Sequence, residues 1–165
     1  FKDCIGAIDG SLIPIIVSSN QAAAHWTRKG FTAQNAFVAC PFDCTIDYVL
    51  AGWEGSAHDA RVLADAIGKG FEVPKGKYYL ADAGYGISSS FLTPYRGVRY
   101  HLKEQELFNL RHASARNCIK RTLRILKARY TILKSASDYG CQTSAELFTA
   151  LYCLHNFIIR NGARL

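Results

Sequence analysis

Two aspartates stand inside stretches that are otherwise built to be buried. Asp9 interrupts the run Cys4-Ile5-Gly6-Ala7-Ile8-Asp9-Gly10, and Asp82 closes the run Tyr78-Tyr79-Leu80-Ala81-Asp82. A carboxylate in an apolar strand costs several kcal/mol unless a cation or hydrogen bonds compensate it. A fold that accepts this chain must therefore bring something to both positions. If the two strands are neighbours in one sheet, their carboxylates converge and can share one cation. Mg²⁺ takes one or two protein carboxylates and completes its shell with water and phosphate oxygens. Paired as strand-end acids with arginines, the same residues would be purely structural.

The elements around these aspartates follow from periodicity. Residues 4–17 read as a strand, with Gly10 allowing a bend and Pro14 favouring an edge position. Residues 18–30 read as a polar loop. Phe31 to Cys40 and Ile46 to Trp53 read as a hairpin around Pro41-Phe42-Asp43. A helix is expected over about 57–69, capped by Ser56, with Leu63, Ala66 and Ile67 as its apolar face. Lys75-Gly76-Lys77 is a turn, and Tyr78 to Ala81 a short buried strand. Residues 86–106 are mixed loop and short strand. Residues 112–130 form a helix with Ile119, Leu123, Leu126 and Tyr130 at 3–4 spacing. The last helix is expected to start at the capping box Thr143/Glu146 and run to Asn161-Gly162, burying Leu147, Leu151, Leu154 and Ile158. The order is three strands, helix, strand, then helices, an α/β pattern without internal repeats.

A chain of 165 residues suits one domain, large enough to bury roughly two thirds of its unfolded surface. It begins at Phe1 and contains no methionine, so it reads as part of a longer protein whose flanking segments are missing. No stretch approaches the roughly 20 apolar residues of a membrane span. The six cysteines form no CxxC pair, which favours free thiols in a reducing intracellular compartment.

The net charge of +7 is unevenly placed. Residues 1–106 hold 10 basic and 11 acidic side chains, whereas residues 107–165 hold 10 basic and 2 acidic ones. No acid occurs from Arg111 to Lys134. Arg116, Lys120, Arg124 and Lys127 follow near-helical spacing within this segment and read as one cationic stripe. Such a stripe favours a polyanion, most plausibly nucleic acid. If it neutralised four phosphates, the log–log salt slope on duplex DNA would be about −3.6. Trp26, Arg28 and Lys29 offer a second charge-and-stacking grip. A solvated basic surface is the plain alternative for both. Ser56-x-x-Asp59 also has a structural reading, since an acid at the third helical position favours the helix dipole. His155 fits a hydrogen-bonded core histidine, and His58 an exposed one at a helix start.

Several segments together resemble a known family. Gly6-Ala7-Ile8-Asp9-Gly10, Gly52-Trp53-Glu54-Gly55-Ser56-Ala57-His58-Asp59 and Ala81-Asp82-Ala83-Gly84-Tyr85 are similar to the catalytic domain of PIF/Harbinger transposases, of the DDE superfamily of endonucleases. Arg28-Lys29-Gly30-Phe31, Phe91-Leu92-Thr93-Pro94-Tyr95-Arg96-Gly97, Asn109-Leu110-Arg111-His112 and Leu154-His155-Asn156-Phe157 extend the likeness over nearly the whole chain. The resemblance implies an RNase H-like mixed sheet and Mg²⁺- or Mn²⁺-dependent cleavage of DNA. It further implies a nuclear protein, with some in the cytoplasm, and a separate Myb-like DNA-binding partner. It maps the catalytic, metal-binding carboxylates onto Asp9, Asp59 and Asp82. A fourth carboxylate belongs to an Arg-x3-Glu-x6-Lys pattern, where this chain has Arg116, Lys120 and Lys127. Lysine at that position raises the local charge by two relative to glutamate and disfavours a divalent ion. Its ammonium is expected to pair with Asp9 or Asp82. The expectation is a retained fold with weakened cleavage, or a domesticated, silent DNA- or protein-binding module.

Overall fold

A computed structural model describes residues 1–97 and 103–162. Five strands form one mixed sheet: β1 (Cys4–Pro14), β2 (Ala33–Cys40), β3 (Tyr48–Glu54), β4 (Tyr78–Leu80) and β5 (Phe91–Leu92), in the order β3-β2-β1-β4-β5. β1 pairs antiparallel with β2, as does β2 with β3, while β1–β4 and β4–β5 are parallel. The helices are α1 (Ala22–His25), α2 (Asp59–Gly68), α3 (Lys103–Arg129) and α4 (Cys141–Arg160). This is the α/β architecture expected from the sequence, and it is consistent with an RNase H-like nuclease fold.

The pleat sorts side chains onto two faces. Ala7, Ile13, Ala36, Val38 and Leu80 meet Ile119 and Leu126 of α3 and Phe148 and Tyr152 of α4. Ile8, Phe37, Ala39 and Tyr79 meet Val62, Leu63 and Ala66 of α2, together with Phe71. All eight residues of β2 are buried, because helices cover both of its sides. Among the described residues no helix is long and apolar enough to cross a membrane.

Several local expectations change. Pro14 does not mark an edge: β1 is the middle strand, and Pro14 is tolerated as its last residue, where Ile15 takes over donation to Thr32. The 18–30 loop contains the short helix α1. The Ser56 capping box does not form. α2 starts at Asp59 with His58 at its N-cap, and no side chain caps it. Ile67 is exposed, and Val62 takes its place beside Leu63 and Ala66. α3 starts at Lys103, nine residues before the expected 112; its first turn, Lys103 to Glu106, is wholly polar, and Leu107, Phe108 and Leu110 after it do not keep the 3–4 spacing of the later apolar face. The 98–102 part of the expected mixed segment lies outside the described residues.

α4 likewise starts at Cys141 rather than at the Thr143 box, with Gly140 at its N-cap. Its buried line is Ser144, Phe148, Tyr152 and His155. Leu147 and Leu151 flank that line and Leu154 is exposed. The face is turned because His155 finds the Cys44 carbonyl at 3.0 Å through Nε2. A polar residue thus enters the core where a hydrophobic count skips it.

Candidate functional site

Strand pairing brings the two aspartates together. Ala7 lies opposite Leu80 in the parallel β1–β4 pair. Two residues further along each chain come Asp9 and Asp82, which the period-2 pleat sends to the same face, under α3. The Gly10 N–H donates to Asp9 Oδ1 at 3.0 Å, and the Ala83 N–H donates to Asp82 Oδ1 at 2.6 Å.

Arg116 supplies the cation. It is buried on α3, with Nη1 3.3 Å from Asp82 Oδ2 and Nη2 4.0 Å from Asp9 Oδ2. The sequence assigned this arginine to a DNA-facing stripe and expected Lys120 to pair with the aspartates. Helical geometry explains the exchange. At about 100° per residue, Arg116 and Lys127 differ by only about 20°, while Lys120 and Arg124 rotate away by about 40° and 80°. Lys127 follows Arg116 inward and donates to the Leu12 carbonyl at 2.8 Å. Burial and the nearby Lys29 charge lower its pKa. Lys120 and Arg124 are exposed and line a separate groove with Arg121, Phe42 and Cys44. Lys120 acts on Asp82 through its charge alone; among the described residues it makes no ion pair within 4.0 Å.

Asp59 approaches from the other side of the sheet, at the start of α2. The loop before it is fixed by Gly55, where an added Cβ would lie 2.5 Å from the Ala33 carbonyl oxygen and 2.6 Å from that of His25. Two further glycines make room for the carboxylate. A Cβ on Gly10 would stand 3.2 Å from Asp59 Oδ1, and one on Gly84 would stand 3.0 Å from Asp59 Oδ2. The Asn35 side chain lies on the same face of Gly10 as Asp59 and favours the charged form of its carboxyl. The three aspartates share one cleft of about 730 Å³, whose wall includes Trp26, Arg28, Lys29 and Arg96. Asn35 and Arg96 had no role in the sequence reading. Arg96 lay within a recognised motif, but nothing local showed that it would reach the Ala83 carbonyl.

The three carboxyls titrate differently. Burial holds Asp9 above the usual carboxylate range, opposed by Arg116 and reinforced by the charges of Asp82 and Asp59. Burial and Asp82 likewise raise Asp59. For Asp82 burial also pushes upward, but Arg116, the Ala83 N–H and Lys120 outweigh it and leave the group below its ordinary value. Asp9 and Asp59 therefore bind protons more tightly in the folded chain. Their contribution to stability is complete below the unfolded value of 3.8 and is lost as pH rises through the folded values. Asp82 acts oppositely, stabilising above 3.8 and ceasing to do so as pH falls through its folded value. Asp59→Asn is accordingly expected to raise stability at neutral pH and to flatten the fall above pH 3.8. Urea unfolding from pH 3 to 7 checks this, and a variant no more stable than the native chain at pH 7 would contradict it.

The donor chemistry, three hard carboxylates in one cleft, is right for a divalent cation. The three do not converge on one point, and a guanidinium stands between two of them. Among the described residues no three His, Cys, Asp or Glu side chains come close enough to hold one ion. Arg116 already supplies positive charge between Asp9 and Asp82. An ion held by Asp9 and Asp82 would require this guanidinium to withdraw, and one held by all three would also require Asp59 to move.

A family model described as DDE superfamily endonuclease matches residues 8–156, a span that takes in every residue of the cleft. No curated protein and no solved structure matches the chain.

Proposed function

The chain belongs to the DDE superfamily endonuclease family, and from that premise we propose that it is a PIF/Harbinger-type domain that still engages DNA but cleaves it poorly or not at all. One observation carries the reading: Asp9 and Asp82, which should hold a divalent ion, instead share the Arg116 guanidinium, in a cleft walled by Arg28 and Lys29. The family generally depends on divalent metals. In this chain Asp9, Asp59 and Asp82 are the candidate ligands for Mg²⁺ or Mn²⁺, and Lys120 stands where the resemblance calls for a glutamate.

What remains is a phosphate-binding cleft. Arg28 and Lys29 attract a backbone phosphate, Lys127 lies near Lys29, and the exposed Trp26 ring offers a stacking surface. Lys120 and Arg124 add charge on the neighbouring groove. A nuclear role beside a separate Myb-like partner fits a chain that binds DNA without cutting it.

Nicking of supercoiled plasmid in Mg²⁺ and in Mn²⁺ tests the proposal. The native chain should nick no faster than Asp9→Ala, and Lys120→Glu, which leaves Arg116 on the aspartates, should not restore cleavage. Robust nicking by the native chain that Asp9→Ala abolishes would overturn impairment and favour a working three-aspartate site. A chain without salt-dependent DNA affinity would remove the DNA-binding half of the proposal.

A further inference from the structure

Beside the aspartate cleft lies a second cavity of about 460 Å³, lined chiefly by Ile87, Leu92, Pro94, Tyr95 and Phe108. Arg96 lines both spaces, and Ala83, which lines this one, follows Asp82 directly in the chain. The two cavities therefore adjoin across one guanidinium: carboxylates and cations on one side, an apolar slot on the other.

The slot is built to present an aromatic ring. Asn109 on α3 holds the Tyr95 main chain at both ends. Its Oδ1 accepts from the Tyr95 N–H at 2.9 Å, and its Nδ2 donates to the Tyr95 carbonyl at 3.1 Å. The Tyr95 ring meets Phe108 edge-on at 5.2 Å between centroids and 72° between planes. Tyr95 is nevertheless 52% exposed, and Ile87 across the slot is 73% exposed. A ring fixed from behind and left open in front has already lost much of its freedom. Little ordering cost remains when a flat partner stacks on it. Arg96 is likewise tied to the Ala83 carbonyl at the boundary between the two spaces.

We infer that this slot receives one unstacked nucleobase, from the DNA strand whose phosphate lies in the aspartate cleft, and that Tyr95 is its stacking platform. The occupant follows from this adjacency and from the charge of the neighbouring cleft. A nucleotide is a flat heteroaromatic ring joined to an anionic ester, and the cavity pair offers an apolar slot joined through Arg96 to a basic wall. A base taken out of the duplex needs an aromatic or apolar surface to replace the stacking it leaves. The inference rests on the reading of the cleft as a DNA-binding site and adds what binds next to it.

The test is fluorescence anisotropy of the chain with a single-stranded oligonucleotide, alongside one carrying a run of abasic sites and one carrying 2-aminopurine. The native chain should quench 2-aminopurine and bind the intact strand about tenfold more tightly than the abasic one, the size expected of one base–aromatic stack. Tyr95→Ala should lose that preference and the quenching. Tyr95→Phe, which keeps the ring, should retain both. The side chain is half exposed and its main loss is the edge contact with Phe108, so Tyr95→Ala should still unfold cooperatively with a midpoint only slightly below the native chain, which excludes a folding defect. Equal affinity of the native chain for intact and abasic strands overturns the inference. If those equal affinities still fall with salt and on Arg28→Ala/Lys29→Ala, only the slot is wrong. If no salt-dependent binding is seen at all, the cleft reading fails and the inference with it. A slot that takes an apolar side chain of a partner protein instead would give the equal affinities that still fall with salt.

Discussion

Arg116→Ala is expected to lower the stability of the protein by about 3 kcal/mol at neutral pH. Removing one partner of a buried ion pair typically costs about 3–5 kcal/mol, because the remaining charge loses both water and its counter-ion. The lower end applies here. The Arg116 side chain is only 10% exposed and that of Asp9 21%, but Asp82 is 51% exposed and water screens it. The loss should shrink as pH falls. Without the guanidinium Asp9 takes up a proton more readily, and a neutral carboxyl needs no cation. Chemical denaturation of the two proteins at several pH values measures both effects. The same substitution should strengthen Mn²⁺ binding in isothermal titration, since the competing cation is gone. A variant as stable as the native chain would show that the pair contributes nothing. Unchanged Mn²⁺ affinity would show that Arg116 does not compete with a metal.

Gly6→Ala is expected to destabilise by about 3 kcal/mol, the upper end of the usual cost of overpacking. An added Cβ would stand 2.2 Å from the Cys40 carbonyl oxygen, 2.9 Å from its carbon and 3.0 Å from Pro41 Cα. These are backbone atoms, so no side-chain rotation relieves the contact. β1 is held between β2 and β4, and it cannot shift without moving Asp9 relative to Asp82. The variant should therefore also weaken the Arg116 pairing. Gly68→Ala is the control, because nothing lies within 4 Å of its added Cβ. A Gly6→Ala midpoint in urea within error of that control would refute the argument.

Much of this site was legible in the chain itself. A carboxylate inside an apolar strand is visible wherever it occurs, and two of them, with a helix between, define the α/β order. The glycines beside the aspartates were visible as motif letters, but their purpose was not. Gly10 and Gly84 matter because Asp59 passes close to both, an approach made by residues far apart in sequence. The capping boxes misled for a similar reason. Ser56/Asp59 and Thr143/Glu146 satisfy a local rule, yet the loop before α2 is fixed by the contacts of Gly55 with Ala33 and His25, and α4 starts one residue after Gly140. Tertiary contacts outweigh a cap that contributes about 1 kcal/mol.

The sequence by itself determined the main strands, their succession along the chain, the two aspartates that need a cation and the acid-free segment able to provide one. Hydrophobic period and composition encode these directly. Only the tertiary structure decided which cation it would be. Spacing placed Arg116, Lys120, Arg124 and Lys127 on one stripe, but a helix turns about 40° with every four-residue step. The packing of α3 on the sheet fixes which residue of that slow spiral faces the aspartates. It points Arg116 and Lys127 inward and leaves Lys120 and Arg124 at the surface.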